Sequence, residues 1–298
     1  MKSLAAFIMR GRVQAVIGVA GLALLSLMVP LVSLFSSAAL GLVTLRMGAR
    51  ESLWVLAVSA LVAAVAGTLL MGNLQAATVY GLLLWVPVWP VAMLLRTSGQ
   101  LALALEAGLA LALLAVVGAY LVTGDPSQLW EVSLQRLLES MREHAPPGFE
   151  ASEANERLQF FAHYMTGVAA AGSLMSLVLG LLIARWWQAA LYNPGGFRAE
   201  FVALRLHTGA GYAGMACIAL ALLADGGVSE FAWNMSAVFF VLFAVAGFSI
   251  VHALLGRKGF WLGGIYLALL VIPQILLPVA FLGFSDPWLN WRRRLARS

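Results

Sequence analysis

Long apolar runs broken by short polar knots make up most of this chain. Nine runs cover roughly 13–29, 31–45, 52–70, 78–95, 101–123, 161–184, 209–224, 232–254 and 260–283. Several reach the roughly 18–20 residues that cross a bilayer as a helix. Lipid cannot satisfy open backbone groups, so each run must be helical. The pattern therefore predicts an all-α fold, a polytopic transmembrane helical bundle. Pro30 punctuates the first pair and makes it a tight hairpin. The segment 31–45 is short for a span and reads as tilted or partly re-entrant. Pro273 and Pro278 interrupt the last run, which reads as bending back. Eight crossings are expected, or nine if both of these segments cross.

Charge supports this class. Of 298 residues, 62% are hydrophobic and 10% charged. A soluble domain carries about 25% charged residues, so this chain cannot coat a water-facing surface. The single cysteine, Cys217, excludes a disulfide framework or a CxxC metal site within the chain. A net charge of +5 raises nucleic acid as a partner, but the basic residues flank the spans and are better explained by orientation. With a cytoplasmic N-terminus, the inner loops hold eleven Lys and Arg; the outer loops hold only Arg136, Arg142 and Arg157. This predicts a multi-pass protein of the bacterial cytoplasmic (inner) membrane. The basic tail 285–298, with Arg292, Arg293, Arg294 and Arg297, suits the anionic inner leaflet and favours eight crossings. The start "MKSLAAFIMRGRVQAVIGVAGLALLSLMVPLVSLF" reads as the first span rather than a cleaved signal, because its apolar run is too long. Trp54, Trp186, Trp187 and Trp261 fall at inner ends and Trp233 at an outer end, as an aromatic belt requires.

The chain reads as one integral membrane domain over 1–298. It comprises five apolar segments in 13–123, an acidic insert at 124–160, the remaining spans in 161–284 and the tail. The insert carries three arginines against seven carboxylates, a net of −4. Within it, Asp125 is a helix N-cap, Pro126 suits the first position and Gln128 completes a capping-box pattern. Trp130, Leu134, Leu137, Leu138 and Met141 form one apolar stripe. Such a helix is an interfacial element, a lid over a pocket or a docking surface. "SEANERLQFF" starts a helix expected to run into the sixth span.

Catalytic signatures are missing. There is no HExxH, GxSxG or Walker motif. The histidines His144, His163, His207 and His252 share no motif, and His163, Glu200 and His207 map to different sides. No catalytic residue, cofactor or metal ligand is expected. Ionisable residues inside spans mark ion pathways, and here they are scarce. Glu106 reads as snorkelling to the surface or pairing with Arg96 near the inner face.

The spans instead carry helix-packing code. Gly172, Ser176 and Gly180 recur every four residues on the sixth, a small-xxx-small stripe. Ala213, Cys217 and Ala221 line a stripe of the seventh. "TVYGLLLWVPVWPVAMLL" is the best pocket candidate. Pro87 and Pro90 kink it, and Trp85 and Trp89 share a face. Asn73, Gln75 and Tyr80 sit at its outer end as polar contacts for the mouth.

One hydrophilic break, "ALYNPGGFRAEFVALRLHTGAG", maps to the inner surface. Asn193-Pro194-Gly195-Gly196 is turn chemistry. A short helix follows, with Phe197, Phe201 and Leu204 on one face and Arg198 and Arg205 on a flank. It reads as an interfacial anchor with arginines toward lipid phosphate, able to dock a cytoplasmic partner.

The layout resembles the YybS-like family of bacterial membrane proteins, a group defined by a domain of unknown function. The resemblance rests on the first hairpin, "LGLVTLRMGARESLWVLAVSALVAAVAG", the acidic insert, "YNPGGFRAEFVALRL" and the ending "FLGFSDPWLNWRRRL". That family is remotely similar, over 13–184, to the substrate-binding S components of energy-coupling-factor vitamin transporters. The resemblance implies capture of a vitamin or metal ion from outside and a separate ATPase module. S components dock that module with small residues four apart; here the first span offers only Gly11 and Ala15. The spans after 208 also depart, and no binding residue carries over.

The expected function is a non-enzymatic, transporter-like membrane component that binds a small molecule. The alternative is a scaffold recruiting partners through the acidic insert or the basic inner loops. The expected partners are the lipid bilayer, a small-molecule ligand and a separate membrane or cytoplasmic protein, without nucleic acid.

Overall fold

The computed structural model describes residues 1–142, 151–256 and 259–295. All regular structure among them is helical. In chain order the α-helices are α1 (Lys2–Ile8), α2 (Arg12–Ser26), α3 (Ser33–Met47), α4 (Ala49–Met71), α5 (Leu74–Trp85), α6 (Val88–Ser98), α7 (Leu101–Thr123), α8 (Ser127–Arg142), α9 (Ala151–Ala162), α10 (Met165–Tyr192), α11 (Gly196–Val202), α12 (Thr208–Leu223), α13 (Gly226–Leu255), α14 (Gly259–Val271), α15 (Leu276–Leu289) and α16 (Trp291–Leu295).

Among the described residues, six helical segments are long and apolar enough to cross a membrane: Pro30–Met47, Ala49–Leu70, Thr78–Ser98, Leu101–Thr123, Met165–Tyr192 and Gly226–Leu255. The α14/α15 pair, bent by 120° at Pro273, makes up to seven. This is fewer than the eight or nine expected. The shortfall lies in α2 and α12, apolar helices of 15 and 16 residues. Each spans only about 23–24 Å at 1.5 Å per residue, short of a hydrocarbon core of about 30 Å. The segment expected to be re-entrant, α3, is instead a central helix, with every residue from Ser36 to Leu45 buried.

Three helices organise the bundle. α3 packs along α10, α10 along α13, and α13 along α15; α7 bridges α10 and α13. Lipid offers no hydrophobic drive between helices, so close van der Waals approach decides these contacts. Small residues provide it. Gly180 and Ala184 of α10 meet Ser37 and Gly41 of α3, where a Cβ on Gly180 would lie 2.9 Å from that of Ser37. Gly172, on the same expected stripe, has nothing within 4 Å of a Cβ and is exposed. Ser176 lines a cavity instead. The stripe therefore packs at one end only, because a repeat of four drifts around a 3.6-residue helix. At the α13/α15 crossing, a Cβ on Gly247 would collide with the Val279 carbonyl and one on Gly283 with the Phe243 carbonyl.

The ionic groups sort onto two ends. At one end, Arg12 forks onto Glu51 at 2.6 and 2.7 Å. Arg96 donates to the Leu45 carbonyl at 2.6 Å and so caps α3. The turn behind that cap runs through Gly48 at φ 90°, a left-handed angle glycine adopts freely. Arg46 lies 4.3 Å from the Tyr192 ring centroid. The tail joins this end. Arg292 donates to Asp286 Oδ2 at 2.5 Å, to the Val202 and Leu204 carbonyls and to Ser249 Oγ. Asp286, 1% exposed, also accepts the Trp291 N–H.

Several local expectations change. The insert helix starts where expected, with Asp125 Oδ1 accepting the Ser127 N–H and hydroxyl. Those bonds, the hydroxyl first, hold the Asp125 carboxyl below its ordinary value. Its stripe is narrower: Leu138 is buried, but Leu137 is 51% exposed. The Met141 side chain lies outside the described residues. α9 does not run into α10; the chain breaks at His163–Tyr164. Trp54, Trp233 and Trp261 are exposed, as a belt requires, but Trp187 is fully buried and stacks on Phe35 at 6.2 Å.

Candidate functional site

The fourth apolar segment folds as two helices broken at Val86–Pro87. Proline lacks an N–H and disfavours helix before it, so the break follows from Pro87. Pro90 is tolerated because it lies in the first turn of α6. Beside the break, Ser37 Oγ donates to the Leu84 carbonyl at 3.2 Å. The broken helix, α7 and α10 enclose a cavity of about 350 Å³. Its walls include Tyr80, Leu84 and Pro87; Gly108, Ala112 and Ala115 of α7; and Ser173, Ser176 and Leu177 of α10.

A second cavity, about 470 Å³, continues from it between α7 and α10 and under the start of α8. The two share Ala112, Ala115 and Ser173 as lining residues. Together they make one crevice that follows α7 from Gly108 to Thr123, about 22 Å at 1.5 Å per residue. Small side chains on both helix faces leave this space open. Trp130 and Leu129 of α8 wall its far end, where Trp130 Nε1 donates to Thr166 Oγ1 at 2.9 Å.

Among the described residues, no charged side chain lines either cavity; the polar groups are hydroxyls and one indole. Ser173 Oγ is already turned back to the Ala169 carbonyl at 2.8 Å. Such a surface suits an elongated, mostly apolar ligand with few polar atoms. It offers no general base or nucleophile pair. Among the described residues, no group of three or more His, Cys, Asp or Glu could hold a metal ion.

The pocket residues expected from sequence divide. Tyr80 lines the crevice, its hydroxyl 2.5 Å from Ser26 Oγ. Trp85 and Trp89 share a face, as four-residue spacing requires, but point toward α3 and α4. Trp85, fully buried, donates to Ser36 Oγ at 3.0 Å, and Trp89 to Ser52 Oγ at 3.0 Å. Neither floors the cavity. Their indole N–H groups need partners away from water, and serines of α3 and α4 supply them. Asn73 and Gln75 are exposed at the α4–α5 turn and line neither cavity.

The short helix expected after Asn193–Gly196 is α11. Phe197 and Phe201 stack at 5.8 Å, and Phe201 meets the His252 ring edge-on. The helix ends at Val202, so Arg205, expected on its flank, lies in the linker that follows; both Arg198 and Arg205 are engaged with backbone. Arg198 donates to the Gly256 carbonyl at 2.9 Å, and Arg205 to the Asp286 and Pro287 carbonyls at 3.3 and 2.8 Å. Helix C-terminal carbonyls lack intrahelical partners, and guanidinium groups satisfy them. Glu200 pairs by distance with Arg185, 2.7 Å away, but Oε2 receives no aligned hydrogen bond among the described residues. Burial pushes the Glu200 carboxyl above its ordinary value; Arg185 opposes this.

His163, Glu200 and His207 take separate partners. His207 offers its N–H and Nδ1 to Glu106, each at 2.7 Å. Glu106 therefore pairs with His207, not with Arg96. At the other end, His163 Nδ1 lies 2.7 Å from Glu230 Oε2, and Tyr120 donates to Glu230 Oε1 at 2.8 Å. Buried Asn234 closes this group, donating to the His163 carbonyl and Tyr120 hydroxyl and accepting the Gly167 N–H. Sequence reading missed this cluster. The signal available was Asn234, a polar residue near the start of an apolar run.

No family model, curated protein or solved structure matches this chain.

Proposed function

We propose that this multi-pass protein is a non-enzymatic, transporter-like component of the bacterial cytoplasmic membrane. It binds an elongated, mostly apolar small molecule in the α5/α6–α7–α10 crevice. The observation that carries this reading is the sharing of Ala112, Ala115 and Ser173 by two cavities. The first half of α8 acts as the lid at one end. The YybS-like resemblance belongs to this reading and stands on the sequence stretches quoted for it.

The orientation in this reading keeps the N-terminus in the cytoplasm. Support comes from the basic groups at one end, Arg12, Arg46, Arg96, Arg198 and Arg292, against Asp125 and Glu230 at the other. The contact of Arg292 with the 202–204 carbonyls puts the tail beside the α11–α12 linker. A bent α14/α15 pair that returns to its starting side fits that contact.

A thermal-shift screen of vitamins and apolar amphiphiles tests the binding. The wild type should be stabilised by at least one apolar compound, and Ala112→Trp, which fills the crevice, should not. If no compound acts, or if Ala112→Trp responds equally, the crevice is not the binding site.

A further inference from the structure

A third cavity, about 390 Å³, lies apart from the crevice, between α10, α11, α13 and α14. α14 is the most loosely packed helix bounding it. It buries no residue, and Phe260, Leu267 and Leu270 are 66–88% exposed. The 120° bend at Pro273 holds α14 off the bundle. The gap thus left runs along α13 from Val245 to Gly256. Eleven residues at 1.5 Å each make it about 16 Å long, roughly one leaflet of a 30 Å hydrocarbon core.

Width and polarity narrow the occupant. A volume of about 390 Å³ spread over that length is a slim groove, narrower than the roughly 10–12 Å of an α-helix with its side chains. A hydrocarbon chain fits it and a partner helix does not. Met175, Leu179 and Leu182 form the α10 wall. Polar groups gather at the mouth. Arg198, exposed, has one N–H on the Gly256 carbonyl. Beside it, the His252 ring contacts the Phe248 carbonyl at 2.8 Å and the Tyr266 hydroxyl at 3.2 Å. The nearby carboxylate, Glu200, is paired with Arg185, so among the described residues Arg198 is left as the cation at this mouth. A guanidinium carries five donors in a planar fork that matches a phosphate.

We propose that this groove is a site for one anionic phospholipid of the leaflet at the basic end. Its phosphate sits on Arg198, and one acyl chain lies along Met175, Leu179 and Leu182. α14 clamps the chain from the membrane side. This site is separate from the crevice and does not depend on the function proposed for it.

Native mass spectrometry of the delipidated full-length protein tests the site. Phosphatidylglycerol and phosphatidylcholine with identical chains are added at equal concentration. The wild type should retain one phosphatidylglycerol with about tenfold preference, because the choline cation of phosphatidylcholine offsets the attraction of its phosphate for Arg198. Arg198→Gln should bring the preference to near parity. Leu179→Trp, which fills the groove and leaves the charge in place, should remove both adducts. Arg50→Gln should change neither, and excess inorganic phosphate should not displace the lipid. No headgroup preference in the wild type, full preference in Arg198→Gln, or an adduct surviving Leu179→Trp would each overturn the proposal. So would displacement by inorganic phosphate, which would mark a simple anion site.

Discussion

Removing Arg292 should loosen the C-terminal end of the bundle more than any other single charge deletion. Its guanidinium is bound to a carboxylate that is 1% exposed, two backbone carbonyls and one hydroxyl. Arg292→Ala strands the Asp286 charge and unpairs the Val202 and Leu204 carbonyls. Breaking a buried pair from one side costs about 3–5 kcal/mol. That is a factor of roughly a hundred to a few thousand in the folding equilibrium. Reversible unfolding in mixed detergent–dodecyl sulfate micelles measures it. Asp286→Asn should cost less, because an amide oxygen can still accept the Trp291 N–H. The double variant should cost little more than Arg292→Ala alone, since contacting partners are not additive. A loss under about 1 kcal/mol, the value of a solvent-exposed pair, would refute the latch; so would strict additivity.

Other outcomes follow from the same contacts. Gly283→Ala should destabilise by about 1–3 kcal/mol through overpacking against the Phe243 carbonyl. Gly263→Ala, with nothing within 4 Å, should be neutral or stabilise by up to about 1 kcal/mol through helix propensity; thermal melts in detergent compare them. Trp85→Phe should lower stability by about 1 kcal/mol through the lost Ser36 bond, yet leave ligand-induced shifts intact. Glu200 gives a pH dependence. Its raised folded value means its contribution is fully present below the ordinary carboxylate value and is lost as pH rises through the raised one. Stability of the wild type relative to Glu200→Gln should therefore fall across that window, and a flat difference between their denaturation curves would contradict the burial argument.

How much was legible in the sequence depends on what each residue type can signal alone. Apolar run length carries the helical class, and Pro30, Pro87 and Pro273 mark real breaks because proline acts locally. Run length did not separate spans from shorter helices. α2 and α12 are as apolar as their neighbours, and only their length distinguishes them. The seven-residue α1 was hidden because tertiary packing orders it, with Ala5 and Ile8 buried and the helix set against α2, α3 and α10. Site residues were harder. A four-residue repeat puts Trp85 and Trp89 on one face but cannot say which neighbour that face meets. The crevice itself is made by what is small, Gly108, Ala112, Ala115 and Ser173, and such residues also read as packing code. The ion pairs Glu106–His207, His163–Glu230 and Arg292–Asp286 join helices whose order in space the pattern does not contain, apart from the last, six residues apart across a turn at Asn290.

The most direct test of the central claim is mass spectrometry of small molecules extracted from the purified wild type and from Ala112→Trp. A bound ligand in the α5/α6–α7–α10 crevice requires an apolar compound near one per protein in the wild type, depleted in the variant while the fold is retained. Equal amounts in both, or none in either, would contradict it.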